Sequence, residues 1–305
     1  MDAPHQPVLY EEIIHALRPV PGGRYIDGTL GAGGHSAGLL EASAPTGEVL
    51  AFDLDPQAIT LARARLAAFG TRIHIVQASY VEMTEHAVRL GWQAVDGILL
   101  DLGVSSMQLD TPERGFSFLR DAPLDMRFSP AAPHSAADLV NSLPEDELAE
   151  IFFRYGEERR ARRIARAIVQ NRPIATTGQL ADLALKTLGK TERIHPATRL
   201  FQALRIVVNG ELEAVETVLP VAINLLRPGG RLAVIAFHSL EDRIVKETFR
   251  RESTDCLCPP RQPVCTCVHR ARLREINRKP IQAGPAEVQA NPRARSAKLR
   301  IAEKL

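Results

Sequence analysis

A glycine-dense segment follows the first apolar run of the chain and is the part of the sequence best suited to bind a ligand. Gly31, Gly33 and Gly34 supply backbone that adopts positive φ and carries no Cβ, so a ligand can lie against the main chain at a helix N-terminus. Twenty positions after Gly33, the apolar run 49–52 ends at Asp53. A carboxylate at this place in a doubly wound sheet usually binds ribose hydroxyls. The spacing predicts a nucleotide-type pocket.

The sequence also bears on which ligand the pocket takes. The dinucleotide fingerprint G-x-G-x-x-G, aligned on Gly31, requires glycine at position 36, where this chain has Ser36. Asp27, ahead of the glycines, suits S-adenosylmethionine (SAM) better, because SAM has no pyrophosphate to cradle. We predict a methyl-donor pocket, with a nicotinamide dinucleotide as the alternative. A tight structural turn would explain the glycines but not the accompanying Asp53.

A second carboxylate ends the apolar run 95–101. Asp101 precedes a loop of small residues, and strand ends of this kind form the ligand crevice of an open α/β sheet. Asp101 is a candidate to contact the donor or to accept hydrogen bonds from an amine, and the alternative is an aspartate that caps a turn. Asp125 and His238 are further catalytic candidates. His238 follows a buried strand, so a base and a helix cap are both open for it.

The elements that position these residues alternate between strand and helix. The predicted strands are 24–27, 49–53, 73–77, 95–101 and 231–237, with a short strand at 298–301 to close the sheet edge. Helical patterns lie at 10–18, 34–43, 56–69 and 81–91. Such alternation predicts a parallel, doubly wound α/β sheet.

The alternation stops after position 101, and the gap before 231 is too long for a loop. Helical patterns fill it at 136–141, 144–155, 158–171 and 177–188, followed by a helix over 197–226 that is notched at Asn209-Gly210. We predict a mainly helical subdomain over 108–196, inserted into a sheet domain formed by 1–107 and 197–305. The segment 255–297, rich in Pro, Arg and Cys, is expected to be irregular.

Positive charge is unevenly distributed along the chain. The formal net charge is +2, but residues 261–305 hold 11 Lys and Arg against 3 Asp and Glu. A second concentration lies on a predicted helix and comprises Arg159, Arg160, Arg162, Arg163 and Arg166. Basic faces attract phosphate backbones, although a solvated Arg-rich helix is an equal alternative. Arg199 and Arg205 could bind substrate phosphates or pair with nearby acids.

The chain has four cysteines, Cys256, Cys258, Cys265 and Cys267. Paired thiols in an intracellular chain suggest a metal before a disulfide. The C-x-C spacing is tighter than that of ordinary zinc knuckles and makes chelation by both members of a pair harder. Zinc and free or redox-active thiols both stay open.

The chain lacks the features of a membrane or exported protein. No apolar run approaches the ~20 residues of a membrane span, and the first residues lack the basic start and apolar centre of a signal peptide. We expect a cytoplasmic protein without a membrane partner.

An ordered set of motifs resembles the RsmH (MraW) family over nearly the whole chain. They are Asp27–His35, Leu99–Ser106, Gln108–Asp110, Arg114–Phe118, Pro123–Arg127, His195–Arg199, Phe201–Arg205, Phe237–Arg243 and Asn291–Ser296. The resemblance implies a Rossmann-like class I SAM-dependent methyltransferase sheet. It also implies methylation of N4 of a cytidine in small-subunit ribosomal RNA near the decoding centre, with the 30S subunit as partner. Whether the chain forms a homodimer stays open.

Carried over by position, the resemblance assigns the donor pocket to Gly33, Gly34, His35, Asp53, Tyr80, Asp101 and Gln108. Asp101 is followed here by Leu102-Gly103-Val104, whereas other amino-methyltransferases have two prolines and an aromatic residue after the acid or amide. The usual placement of the amine by the carbonyls beside those prolines therefore does not carry over. The alternative functions are a DNA amino-methyltransferase, a Rossmann-type oxidoreductase and a non-catalytic RNA-binding module.

Overall fold

The computed structural model describes residues 7–190, 194–259, 262 and 264–305. Its strands are β1 (Arg24–Asp27), β2 (Glu48–Asp53), β3 (Ile73–Gln77), β4 (Val95–Asp101), β5 (Leu226–Ala236), β6 (Leu273–Glu275) and β7 (Lys298–Lys304). Its α-helices are α1 (Tyr10–Leu17), α2 (Gly34–Ala42), α3 (Pro56–Leu66), α4 (Met83–Arg89), α5 (Ser106–Asp110), α6 (Ala136–Ser142), α7 (Glu145–Arg154), α8 (Ala161–Gln170), α9 (Thr177–Leu188), α10 (Ala197–Asn209), α11 (Glu211–Leu225), α12 (Ser239–Glu252) and α13 (Pro285–Ala290).

These elements form two compact units. The sheet unit comprises residues 1–103 and 212–305, and the helical unit comprises Val104–Glu211. Among the described residues, no helix has the length and apolar character needed to cross a bilayer.

The sheet unit contains one sheet in the order β3-β2-β1-β4-β5-β7-β6. Strands β1 to β5 run parallel, and β7 lies antiparallel between β5 and β6. A mainly parallel sheet whose strand order reverses at β1 confirms the predicted doubly wound α/β fold class.

Both faces of the sheet are covered. Alternate residues of a strand enter opposite cores, as Ile98 and Leu100 do on one face and Leu99 on the other. The two-sided burial explains why the parallel strands read as continuous apolar runs in the sequence.

The C-terminal part of the sheet unit is more regular than the sequence suggested. Helix α12 was not predicted, yet Val245 and Phe249 on one of its faces are buried in the core. Strand β6, helix α13 and a 3₁₀-helix at Pro292–Ser296 lie in the segment expected to be irregular. Strand β7 does not close the sheet edge, because β6 pairs along its outer side.

Strand β5 begins earlier than the predicted 231–237. Leu226 pairs with Val95 and Arg231 pairs with Gly97, so residues 227–230 bulge out of the ladder opposite the single residue Asp96. The Pro228-Gly229-Gly230 sequence, expected to be a turn before the strand, therefore lies within it as an irregularity.

The helical unit has its own apolar core and extends further than the predicted 108–196. Leu200, Phe201 and Leu204 of α10 are buried in this core. Asn209, at the end of α10, donates to the Met126 carbonyl at 2.8 Å. These contacts place α10 with the insertion instead of the sheet domain. The predicted notch is present, because Gly210 has a φ of +59° and separates α10 from α11.

Candidate cofactor and active site

A recess at the carboxyl edge of the sheet arises because β1 is short. Asp27, the last residue of β1, pairs with Ala51 on β2 and Leu99 on β4. Strands β2 and β4 each continue two residues further, to Asp53 and Asp101. The loop after β1 therefore crosses a gap that is flanked by two carboxylates, at the edge where open α/β sheets bind ligands.

Hydrogen bonds tie the loop 28–33 to both flanking strands. The Leu30 amide donates to the Phe52 carbonyl at 2.8 Å. On the other side, the Asp101 amide donates to Thr29 Oγ1 at 2.6 Å. The loop is thus held in place without any ligand, which is the preorganisation that a binding site needs.

The glycines of this loop are required for two different reasons. Gly31 and Gly33 have φ values of +51° and +79°, in the left-handed region that favours glycine. Gly34 is required by a close approach, since a Cβ there would lie 2.3 Å from Pro7 Cγ. The sequence prediction of positive φ is therefore confirmed for Gly31 and Gly33, whereas Gly34 is needed for packing.

The Asp27 carboxylate stabilises the conformation of the loop through hydrogen bonds. Its carboxylate accepts hydrogen bonds from Ser36 Oγ at 2.7 Å and from the Thr29 amide at 3.1 Å. Burial raises the pKa of Asp27, although the Ser36 hydrogen bond favours its ionised form. Ser36, which breaks the dinucleotide fingerprint, is thus the residue that fixes this carboxylate.

Asp53 holds the far side of the loop and keeps room for a ligand. Its two oxygens each accept one amide hydrogen bond of 2.8 Å, from Gly31 and from Asp55. A carboxylate has about four acceptor sites, so within the described residues each oxygen retains capacity for another donor. Burial raises the pKa of Asp53 to about 6, although both amide hydrogen bonds favour the ionised form.

His35 and Asp101 form the polar end of the recess. His35 Nε2 lies 3.6 Å from Asp101 Oδ2. His35 is only 5% exposed, yet neither of its ring nitrogens nor Asp101 Oδ1 has a hydrogen-bond partner in the described part of the chain. Since buried polar atoms are nearly always hydrogen-bonded, these atoms indicate a place for a polar ligand.

Tyr80 lies beside the start of the loop. It opens a 3₁₀-helix after β3, capped by Ser79. A Cβ placed on Gly28 would lie 3.1 Å from Tyr80 Cβ, so the half-buried tyrosine adjoins the glycine segment. Its assignment to the donor pocket stays a prediction.

The comparison with known families decides which class of protein carries this recess. The MraW methylase family matches residues 2–305. The chain belongs to this family. Three relatives bear the name ribosomal RNA small subunit methyltransferase H: those of Geobacter sulfurreducens (56% identical, covering 99% of each chain), Citrifermentans bemidjiense (53%, covering 100% of this chain and 99% of the relative) and Thermomicrobium roseum (54%, covering 99% and 94%). As a member of a methylase family, the protein is a methyltransferase.

Two predicted site residues of this MraW methylase lie in the helical unit. Gln108 is buried and caps α5, because its Oε1 accepts the Ser105 amide at 3.0 Å. Asp125 pairs with Arg127 through two hydrogen bonds of 2.9 and 2.7 Å. Burial raises the pKa of Asp125, but the Arg127 hydrogen bonds outweigh it and leave the pKa below its usual value. Both side chains have a local structural role, and their functional assignment stays a prediction.

His238 is the N-cap of α12. Its Nδ1 accepts the Glu241 amide at 3.4 Å, and its Nε2 lies 3.2 Å from Glu241 Oε1. The buried Glu241 carboxylate also accepts the Phe237 amide at 2.9 Å. The histidine thus acts as the helix cap that the sequence left open, while its catalytic assignment stays a prediction.

The arginines of the methylase divide into paired and exposed groups. Arg199 lies 3.5 Å from Glu158, and Arg205 forms a two-bond pair with Glu211 at 2.8 and 2.9 Å. These two guanidinium groups therefore have acidic partners within the helical unit. Exposed arginines at the start and along the outer face of α8 remain candidates for phosphate contact, namely Arg159, Arg162 and Arg163.

Two residues that position predicted site residues do not stand out in the sequence. Thr29 holds the Asp101 amide, and Glu241 holds His238. The motif His238-x-x-Glu241 matches a capping-box spacing with histidine in the place of serine, which is a signal that also predicts the missed helix α12. No comparable local pattern identifies Thr29, since its partner is 72 residues away.

From the packing around the loop 28–33 we expect two Gly→Ala substitutions to differ in their effect on the free energy of unfolding. Gly33→Ala is expected to lower the free energy of unfolding by about 2 kcal/mol, because left-handed backbone costs roughly 1–2 kcal/mol and the new Cβ would lie 3.0 Å from Leu66 Cδ1. Gly210→Ala, in the same left-handed region with φ +59° and open space around it, is the control and should cost about half as much. Urea denaturation of both variants measures this, and equal losses would show that the loop exerts no steric demand.

Proposed function

We propose that this MraW methylase transfers a methyl group from SAM to N4 of a cytidine in small-subunit ribosomal RNA near the decoding centre. The observation that carries the proposal is the recess after β1, with Asp53 and Asp101 on the two flanking strands. Polar atoms of His35 and Asp101 there have no hydrogen-bond partner among the residues that the structure describes. The shared name of the curated relatives supports the choice of substrate.

The residues of the recess fit the donor. Two neighbouring ribose hydroxyls require two acceptors, and Asp53 retains capacity on each of its oxygens. The left-handed glycines at 31 and 33 expose main chain against which the ligand can lie. Tyr80, adjacent to Gly28, supplies an aromatic ring suited to stack on adenine.

When bound, SAM supplies a methyl group that is already electrophilic, so the protein must chiefly align the transfer and prepare the amine. The lone pair of N4 is delocalised into the cytosine ring, and attack requires the nitrogen to become pyramidal. Asp101 Oδ1 has no hydrogen-bond partner in the described residues, and in the proposed mechanism it accepts a hydrogen bond from the N4 amine. His35, 3.6 Å from the other oxygen, acts as a positioning residue for the carboxylate.

The target base must leave its stack to reach this recess, because pairing and stacking hide N4. Structured RNA is then bound mainly through phosphates and shape. The exposed arginines 159, 162 and 163 of the helical unit and the excess of basic residues over 261–305 support an RNA substrate. The small ribosomal subunit in the cytoplasm is the partner that this assignment requires.

Ribosomal RNA from cells with and without this chain tests the proposal. Nuclease digestion and mass spectrometry are expected to show N4-methylcytidine only when the chain is present. In vitro, purified protein should methylate small subunits or their rRNA and leave duplex DNA unlabelled. Transfer to duplex DNA alone would instead assign a DNA amino-methyltransferase. If cells that express only the Asp101→Ala variant behave like cells with the native chain, a non-catalytic RNA-binding role is indicated.

A further inference from the structure

The four cysteines, which the proposed methyl transfer does not use, meet in the segment that follows α12. We call Cys256, Cys258, Cys265 and Cys267 the cysteine cluster. Their sulfurs all lie within 4.8 Å of one another. Three of the separations are 3.5 Å (Cys256 to Cys265), 3.6 Å (Cys265 to Cys267) and 3.9 Å (Cys267 to Cys256).

These separations match a tetrahedral thiolate site and not a disulfide. Four sulfurs at the zinc–sulfur distance of about 2.3 Å stand about 3.8 Å apart in a regular tetrahedron. A disulfide requires about 2.05 Å, which none of the three separations approaches. The four free thiols therefore surround a volume of the size that one zinc ion fills.

The backbone around the cluster favours thiolates. The Leu257 amide donates to Cys267 Sγ at 3.3 Å, and the Thr266 amide donates to Cys258 Sγ at 3.4 Å. Each donor lies within one C-x-C pair and reaches across to the other pair. The tight C-x-C spacing, which was expected to hinder chelation, thus brings both sulfurs and the intervening N–H of each pair into the cluster.

Both ends of the cysteine segment are tied together. Before the first cysteine, Asp255 Oδ1 accepts the Ala271 amide at 3.1 Å, and the Glu252 carbonyl accepts the Arg272 amide at 2.7 Å. The Arg251 carbonyl lies 3.0 Å from His269 Nε2. In the described part of this segment the apolar side chains Leu257, Val264 and Val268 are exposed. They form no apolar core there, so the segment needs another source of order.

We propose that the cysteine cluster binds one Zn²⁺ as a structural site with four thiolate ligands. Four protein ligands saturate a tetrahedral zinc ion and leave no open position, so the site orders the loop instead of catalysing a reaction. Each thiol releases its proton on binding, and zinc keeps its oxidation state throughout. Tetrahedral sulfur ligation also suits iron, which the experiment distinguishes.

Metal content of the full chain is the first test. Protein purified without chelators is expected to contain one zinc per chain by elemental analysis and to show its four thiols slow to react with a disulfide reagent. Because the chain has no other cysteines, the thiol count reports on this cluster alone. After chelation all four thiols should react quickly, and added Zn²⁺ should protect them again.

Substitutions and metal exchange complete the test. Cys258→Ser and Cys267→Ser should each weaken zinc binding by more than the 10–100-fold effect of a residue that only supports a ligand. Thr254→Ala, on the same exposed segment but outside the cluster, is the matched control and should keep its zinc. In the unsubstituted chain, Co²⁺ should give the visible bands of a tetrahedral thiolate site, a readout that does not depend on how the variants fold.

Several outcomes would overturn the assignment. They are zinc below a tenth of the chain concentration with thiols that Zn²⁺ fails to protect, iron in place of zinc, or two disulfides in freshly prepared protein under reducing conditions. None of these measurements requires SAM or RNA. The zinc proposal therefore stands or fails separately from the proposed methyl transfer.

Discussion

Asp101→Ala is expected to lower the methyl-transfer rate about 10²–10³-fold, the effect typical of removing one hydrogen-bonding group aimed at the reacting atoms. The affinity for SAM should change far less. The reason is Asp101 Oδ1, which is mostly buried and has no hydrogen-bond partner in the described part of the chain. In the proposed mechanism it accepts a hydrogen bond from the amine as that nitrogen becomes pyramidal. Single-turnover transfer to small-subunit rRNA, measured together with SAM binding, separates the two quantities.

Asp96→Asn is the matched control for this prediction. Asp96 lies on the same strand at its opposite end, where its carboxylate accepts the Arg24 amide at 2.7 Å and pairs with Arg227. The control should keep its transfer rate, since none of these groups belongs to the recess. A loss of SAM affinity without a loss of rate in Asp101→Ala would assign Asp101 to donor binding instead of catalysis.

Binding of S-adenosylhomocysteine is expected to weaken about tenfold from pH 7.5 to pH 5. Burial raises the pKa of Asp53 to about 6, so below that pH the free protein carries a protonated carboxyl. Ribose hydroxyls donate to the ionised form, and binding at pH 5 must first remove a proton that is absent at pH 7.5. Affinity therefore rises with pH up to about 6 and is level above it, as a one-proton linkage requires.

Asp53→Asn should remove this dependence and weaken binding about 10–100-fold at neutral pH, because hydrogen bonds to a charged group contribute about 1.5–3 kcal/mol. Glu48→Gln, at the other end of β2 and beside His74, is the control and should keep the pH profile of the native chain. Calorimetric titration across the pH range measures both. A profile that persists in Asp53→Asn would trace the titration to another group.

The sequence predicts the parts of the fold that depend on local pattern. Strands β1 to β4 appear as apolar runs because both faces of the sheet are buried, and the positive φ of Gly33 follows from residue type and place. The same reasoning located Asp53 and Asp101 at strand ends. Asp53 and Asp101 could therefore be chosen as candidate site residues from the amino-acid sequence alone.

Features that depend on contacts between distant residues could not be predicted in this way. The recess exists because β1 is two residues shorter than the neighbours it pairs with, and no residue within β1 records the length of β2 or β4. The boundary of the helical unit at Glu211 follows from core contacts of α10, which the amphipathic pattern of that helix does not assign to either unit. Helix α12 was missed because its charged residues mask a narrow apolar face.

The interrupted order of the sheet unit has a consequence for synthesis on the ribosome. Strands β1 to β4 are made first, but β5, the neighbour of β4, follows only after the whole helical unit. The contiguous segment 104–211 can assemble its own core as it emerges. During this time the β4 edge that later pairs with β5 stays unpaired. A nascent chain stalled before residue 226 would therefore carry an exposed strand edge open to aberrant pairing, and translation speed across the insertion becomes a determinant of yield.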